Sequence, residues 1–434
     1  MNILVTNTRN SQAYSIVRAL RPHAKKIVAT MEGDNRASAW LSHAARSRLV
    51  DKRYFTPSPA SDWRAGRVQK ENTEKEENYL QVVLRICEQE KIDTIFPSFD
   101  PHVYVFAKNK ERFEKRGILI PVPDYETVIT PLDKYRTIRA AEESGFPCPR
   151  TFLPGNEENI KRVAEELGFP LILKRRFTAA SRGMFLVKDL TELSDKARFL
   201  EENSGNVLVQ EFIPSSFVDD ISITLNKNAE PIMLFCRDTF CHSGRFHQIY
   251  ALAQPDAHAY TKEAARMIQK LGWFGGITVQ TRIDSRDNTP KLMEINPRIG
   301  SGLWRRITVG INEPLMILKI AKGEEVEPIR HYPVGTVFAD PIEHGVHFVV
   351  ALVDWVIYNI RTRLLRKAPL DSHRPAMSLG GLFQSIRKTY FSGEKRVYSP
   401  YTKYFFRDPL ASLIWWMQFI IHWWIRNLPR ELGR

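Results

Sequence analysis

Residues 292–302 read LMEINPRIGSG, an apolar run interrupted by a carboxylate, an amide and a guanidinium at Glu294, Asn296 and Arg298. Side chains of a strand alternate faces, so residues two apart share one. The spacing predicts a strand with these three polar groups on one face and Met293 and Ile295 on the other. Just upstream, GGITVQTRID (275–284) reads as a second strand, and the turn-rich SRDNTP between the two predicts a hairpin. On that strand Thr278, Gln280 and Arg282 share a face, which brings Gln280 near Glu294 and Asn296. One carboxylate and two amide oxygens make a hard-oxygen set that suits Mg²⁺ bridging nucleotide phosphates rather than an all-protein cage. Arg298 then stands where a transferring phosphoryl group or a carboxylate would be held. Taken alone, the hairpin reads equally well as a solvated polar face.

Two lysines upstream give the face a direction. Lys174 ends the apolar strand PLILK, where a buried stem aims an ammonium at phosphates, and Lys134 opens a helix in PLDKYRT. VQEFIP (209–214) is an extended stretch that stops at proline, followed by Asp219 and Asp220. A strand end offers backbone N–H and C=O to an adenine edge, and a nearby carboxylate can take ribose hydroxyls.

The lysine of DK, the strand lysine, VQEFI, the acid, the glutamine and EINPR, in this order, closely resemble the ATP-grasp superfamily. The EINPR ending with an upstream Gln resembles its carbamoyl-phosphate-synthase and biotin-carboxylase branch. The resemblance covers residues 1 to about 325, the first segment standing as a pre-ATP-grasp domain. It implies that Lys134 and Lys174 contact nucleotide phosphates and that Glu211, Phe212 and Ile213 form an adenine hinge. It further implies that Asp220 holds the ribose, with Asp219 as the competing choice, and that Gln280, Glu294 and Asn296 carry Mg²⁺, or Mn²⁺ in its place. On the same resemblance Arg298, with Gly300, Ser301 and Gly302, would embrace the γ-phosphate or an acylphosphate. Such enzymes activate a carboxylate with ATP and let an amine displace phosphate, and metal and cations are needed because charge accumulates on phosphate oxygens. The chain departs from the pattern after Lys174. RRFTAASRGM carries one glycine, Gly183, and three arginines, Arg175, Arg176 and Arg182, where a glycine-rich loop is expected.

At 434 residues the chain is too long for one ordinary core. Residues 1–125 alternate strand and helix (NILVTNT, SQAYSIVRALR, KKIVATM, ENYLQVVLRICEQE, DTIFPS), which predicts a parallel Rossmann-like sheet with crossover helices. Its first turn, VTNTRNSQA, has no glycine, against a dinucleotide fingerprint. Residues 126–330 read as short strands and hairpins with helices, an α+β pattern with antiparallel sheets. The predicted fold class is therefore α/β plus α+β: an ATP-grasp fold behind a pre-ATP-grasp domain, with a helical, membrane-associated C-terminal extension over 331–434. Four cysteines in no framework spacing fit a reducing compartment, and Cys236, Cys241 and His242 read as ordinary residues rather than metal ligands. MNILVTNT opens as a strand with no secretory pattern, so the expected location is cytoplasmic.

The net charge is +14, of which +8 falls in residues 341–434. That region lacks a nucleic-acid-reading motif and is interleaved with apolar helices, which argues against DNA or RNA. HFVVALVDWVIYNI (347–360) and LASLIWWMQFIIHWWI (410–425) read as hydrophobic helices. The second is about 24 Å long, short of the ~30 Å bilayer core. Gln418, His422 and Arg426 form a narrow polar stripe flanked by Trp415, Trp416, Trp423 and Trp424. This predicts an interfacial helix (410–426) on an anionic inner leaflet, against the alternative of burial in a protein core. The expectation is a peripheral membrane ligase joining a small-molecule carboxylate and an amine, one of them lipid-linked or an envelope precursor. The alternatives are a non-catalytic ATP-binding scaffold and a carbamoyl- or carboxyphosphate-forming enzyme. Acceptor specificity is expected in loops 238–256 and 300–306; in the first, His242, Arg245 and His247 are candidate carboxylate contacts, against the stronger reading of solvated loop residues.

Overall fold

The computed structural model describes residues 1–33, 39–59, 73–154, 156–177, 183–204, 207–214, 217–240, 250–254, 259–341 and 395–427, with a few single positions between 345 and 393. The first segment builds a parallel sheet from β1 (Asn2–Val5), β2 (Lys26–Glu32), β3 (Lys52–Thr56) and β4 (Thr94–Phe96), in the order β3-β2-β1-β4. Ile3, Leu4, Val5, Ile27, Val28 and Ala29 are wholly buried, as both faces of a helix-covered parallel sheet require. Helices Ser11–Leu20 and Thr73–Glu90 are the crossovers.

Two antiparallel units follow. The smaller sheet joins β5 (Thr151–Phe152), β6 (Leu171–Arg175), β7 (Met184–Val187) and β8 (Val207–Glu211), in the order β5-β8-β6-β7. Helices Glu157–Leu167 and Leu190–Ser204 close one face over Leu171, Leu173, Val207 and Val209. The larger sheet runs β13-β12-β9-β10-β11-β14-β15, from β9 (Phe217–Leu225), β10 (Pro231–Phe240), β11 (Tyr250–Gln254), β12 (Gly275–Ile283), β13 (Pro290–Asn296), β14 (Val337–Ala339) and β15 (Arg396–Tyr398).

Three features differ from expectation. Asp219 and Asp220 lie inside β9, which begins at Phe217, rather than ahead of it. The hairpin β12–β13 carries a bulge: Gln280 pairs with Glu294 while Thr281 pairs with Leu292, so Met293 is the extra residue. The bulge lets Leu292 join Ile295 and Val279 in the core although strict alternation would set it beside Glu294. Among the described residues after 331, β14 and β15 join the large sheet, which the expected helical extension does not include.

Helix Pro409–Asn427 lies against the first domain. Tyr14, Tyr401 and Trp415 form a stack with ring centroids 4.8 Å apart at both steps. His43 bridges Tyr401 Oη at 2.8 Å and Gln418 Oε1 at 3.1 Å, and Gln418 also donates to the Leu41 carbonyl. Asp408 accepts from Tyr14 Oη at 3.0 Å, Ser47 Oγ at 2.5 Å and the Arg48 amide at 3.1 Å. Gln418, expected in a solvated stripe, and Trp415, expected at a headgroup level, both face protein. Among the described residues no helix is long and apolar enough to cross a membrane. Residues 347–358 and the side chains from 419 onward lie outside the described part, as do loops 178–182 and 241–249 with Arg182, His242, Arg245 and His247.

Candidate active site

The β12–β13 hairpin and its neighbour β9 set two rows of polar residues across three strands. Asp220, Gln280 and Glu294 are direct cross-strand neighbours, and Ser222, Thr278 and Asn296 form the next row. Gln280 Nε2 donates to Asp220 Oδ1 at 2.8 Å, and Asn296 Nδ2 lies 3.4 Å from Glu294 Oε1. Gln280, Glu294 and Asn296 therefore share one face, as their spacing predicts. Asp220, read as a ribose partner, stands beside Gln280 in this row, where its oxygens extend the hard-oxygen set. Among the described residues no three His, Cys, Asp or Glu side chains cluster as a metal cage. The set fits a divalent ion that draws its other ligands from phosphates and water.

The two lysines converge on this face. Asp133 caps helix Lys134–Ser144, accepting from the Tyr135 and Arg136 amides. Arg176 grips the same carboxylate with Nε at 2.8 Å and Nη2 at 2.6 Å, and the Lys134 amide donates to the Arg176 carbonyl. This clamp fixes the helix start to the end of β6, and Lys134 Nζ comes within 3.8 Å of Glu294 Oε2. Arg176, one of the three arginines in the segment where a glycine-rich loop is expected, is thus held by Asp133. Lys174, only 5% exposed, donates to Gln210 Oε1 at 2.9 Å, and Gln210 Nε2 donates to Thr151 Oγ1 at 2.6 Å. Burial, then the Lys134 charge, pushes the Lys174 ammonium down to about 7, with Glu294 opposing. A buried lysine kept short of anions in this way would gain charge on meeting an anionic ligand.

The hinge segment closes β8. Glu211 is tied outward: its Oε1 pairs with Arg286 at 2.7 Å, and its amide donates to the Arg150 carbonyl at 2.9 Å. Ile213 is buried and the Pro214 carbonyl accepts from Ser285. This leaves the backbone at 212–213 as the part of the expected hinge from which an adenine edge can be read.

Arg298 is held by a residue that sequence reasoning missed. Its Nε lies 2.9 Å from Asp100 Oδ1 in an ion pair whose N–H is not aligned on the oxygen as a hydrogen bond, with the two side chains 13% and 7% exposed. Asp100 opens helix Asp100–Lys108 of the first domain, just past the C-terminal end of β4. A carboxylate at the carboxyl edge of a parallel sheet, in SFDP, is the available signal, because ligands of such sheets sit there. Arg298 Nη2 also donates to Asn296 Oδ1 at 3.2 Å. The turn beyond packs tightly: a Cβ on Gly300 would stand 2.8 Å from Thr278 Oγ1. Below it Arg306 and Glu313 form a fully buried pair at 2.6 Å, completed by Ser222 and Thr224.

These parts occupy the segment matched by a family model. Residues 133–329 match the carbamoyl-phosphate synthase L chain, ATP binding domain, and residues 70–121 match the PylC-like, N-terminal domain. The chain carries an ATP-grasp domain. It is similar to the multifunctional protein ura1 of Schizosaccharomyces pombe (21% identical over 296 residues, 62% of this chain and 12% of that protein). It is also similar to the carbamoyl phosphate synthase large chain, N-terminal section, of Methanopyrus kandleri (22% over 289 residues, 63% of this chain and 51% of that one). The chain thus spans about half the length of the second relative and far less of the first. In fold it is similar to the biotin carboxylase of Campylobacter jejuni, solved as a β-γ-ATP complex (TM-score 0.61, 18% identity, 77% of this chain and 73% of that one).

Proposed function

We propose that the chain is an ATP- and Mg²⁺-dependent ligase that activates a small-molecule carboxylate as an acylphosphate and passes it to an amine. The observation that carries this reading is the convergence of Lys134 and Lys174 on Glu294, with Asn296 and Arg298 continuing the same line. Gln280, Glu294 and Asn296, joined by Asp220, would hold Mg²⁺, which would lower the repulsion an incoming carboxylate meets. Lys134 and Lys174 bind the phosphates, and the backbone at Phe212 and Ile213 reads the adenine. A carboxylate oxygen attacks the γ-phosphorus and the bond to ADP breaks. The amine then attacks the acyl carbon, its C–O bond breaks, phosphate leaves with the acid's oxygen, and the amine loses a proton. Arg298 stabilises the oxygens that gain charge in both steps.

The test is phosphate release from ATP across a panel of carboxylates, bicarbonate included, with and without amines. Lys174→Ala and Glu294→Ala abolish the stimulated release under this reading. Wild-type protein that binds ATP and releases no phosphate across the panel is the non-catalytic scaffold instead.

A second element of the proposal is a cytoplasmic, peripheral seat on an anionic membrane. Its support is the outer face of the docked C-terminal segment: Phe406 is 91% exposed, and Leu410, Leu413 and Met417 are each close to half exposed at helical spacing. Lys403 and Arg407 flank that stripe. An apolar strip bordered by cations suits a headgroup region, and it would bring the site to a lipid-linked substrate. Binding to anionic but not zwitterionic vesicles, lost in Phe406→Ser with Leu413→Ser, supports it. Equal recovery of wild type and variant in the soluble fraction refutes it.

A further inference from the structure

Away from the nucleotide face, a cavity of about 330 Å³ opens between helices Lys134–Ser144 and Glu157–Leu167. The segment 150–154 forms its roof. Three guanidiniums line it, from Arg139, Arg150 and Arg162, against one carboxylate, Glu142, with Tyr135 and Asn159 between them. Arginines set into a concave wall present forked donors suited to anionic oxygens. The cations are incompletely used. Arg139 pairs with Glu142 through both Nη1 and Nη2 at 2.8 Å and gives Nη2 to the Thr151 carbonyl at 3.1 Å, yet its Nε is buried with no acceptor among the described residues. A buried donor left without an acceptor is costly unless a ligand or water meets it. Arg150 reaches Glu166 and Glu211 only at 3.9 Å. Arg162 is exposed and has no ion-pair partner among the described residues.

The cavity wall is wired to the nucleotide face. Thr151, at the start of β5, accepts from Gln210, and Gln210 accepts from Lys174. The Arg150 amide donates to Glu211 Oε2 at 3.2 Å, at the entrance of the hinge. A ligand held at once by Arg139, Arg150 and Arg162 ties together two helices and the edge strand that carry these contacts. Ordering them in advance removes part of the cost of fixing Lys174 when nucleotide arrives.

We propose that this cavity is a second ligand site for a small phosphate monoester, whose phosphate sits among Arg139, Arg150 and Arg162, and that its occupancy tightens nucleotide binding. The volume suits a short carbon body beside one phosphate. The coupling concerns ADP and ATP affinity alone, so it stands or falls separately from the ligase reading.

The experiment uses glycerol 3-phosphate, inorganic phosphate and malonate as probes in calorimetric titrations of the full chain, followed by ADP titrations at saturating probe. Glycerol 3-phosphate is expected to bind saturably and more tightly than malonate. Arg162→Gln is expected to weaken it about tenfold, as loss of one charge-assisted contact does, while leaving ADP affinity without the probe unchanged. The probe is expected to raise ADP affinity about fivefold or more in wild type, within the usual range of coupling between sites. Thr151→Val keeps probe binding and loses that gain. No saturable binding up to about 10 mM, or undiminished affinity in Arg162→Gln, overturns the site. Tighter malonate than glycerol 3-phosphate overturns the ligand class. A gain in ADP affinity that survives Thr151→Val overturns the route of coupling.

Discussion

Replacing Asp100 by Asn removes a charge from the first domain while leaving every group of the ATP-grasp domain in place. Two unit charges 2.9 Å apart, the spacing from Asp100 Oδ1 to Arg298 Nε, attract by roughly 6 kcal/mol at an effective permittivity of about 20. Most of that is offset by the desolvation both groups undergo. What remains for orienting the guanidinium is on the order of 1–3 kcal/mol, the range of a charged contact. Arg298 keeps its weaker contact to Asn296, so the side chain loosens rather than leaves. A catalytic group displaced by about 1 Å can cost ~100-fold in rate, and 1.36 kcal/mol is tenfold. Asp100→Asn is therefore expected to lower kcat roughly 10- to 100-fold, with the KM for ATP changed by less than about twofold, because Arg298 acts on the group in flight. Asp100→Glu recovers part of the rate. The assay is steady-state phosphate release at saturating acid and amine, with ATP varied. An unchanged kcat, or a loss confined to the KM for ATP, refutes the assignment of Asp100 as the residue that positions Arg298.

Three further outcomes follow from the charges and packing. Lys174 is held near 7 in the free protein; a lysine whose folded pKa lies below its unfolded one lowers stability at acid pH, and stability is regained as pH rises from about 7 towards the ordinary lysine value. A bound polyphosphate restores the charge, so ATP binding takes up close to one proton at about pH 8. Calorimetry in buffers of different ionisation heat reads that uptake, which vanishes in Lys174→Met, and its absence from wild type contradicts the phosphate role. Breaking the buried Arg306–Glu313 pair with Arg306→Met costs about 3–5 kcal/mol in urea unfolding, whereas Arg306→Met with Glu313→Leu costs much less. His43 is pushed down to about 3, chiefly by burial, with Gln418 opposing and Arg9 reinforcing. Its folded pKa lies below the unfolded value, so the stability it contributes is present above the ordinary histidine range and declines as pH falls from about 6.5 towards 3. Limited proteolysis is expected to cut helix Pro409–Asn427 faster at about pH 5 than at about pH 7.5, and His43→Gln flattens the difference.

The sequence makes the local parts of the site legible and hides the distant ones. Period-two alternation locates Gln280, Glu294 and Asn296 on one face, because the hairpin that pairs them is closed by a short turn. The same rule misplaces Leu292, since a bulge at Met293 leaves no mark in the hydrophobic pattern. Lys134 and Lys174 are readable from their helix start and strand end, but the Asp133–Arg176 clamp between them is not, because both residues look like surface charges. Asp100 escapes notice because its partner lies in another domain. The C-terminal helix shows the same limit. Its tryptophans and polar stripe suggest a headgroup region, yet Trp415 and Gln418 meet Tyr401, His43 and Leu41. The contact of Gln418 with His43 spans 375 residues, beyond the reach of any periodicity. The exposed strip from Phe406 to Met417 is what remains of the amphipathic reading.

The central claim is that a carboxylate oxygen attacks the γ-phosphate on the face made by Lys134, Lys174, Glu294 and Arg298. ¹⁸O-labelled carboxylates, bicarbonate among them, supplied with ATP, Mg²⁺ and an amine panel test it directly by mass spectrometry of the released phosphate. The account predicts one ¹⁸O per phosphate, carried over from the acid, in wild type and none in Glu294→Ala. Phosphate whose new oxygen comes only from solvent water contradicts it.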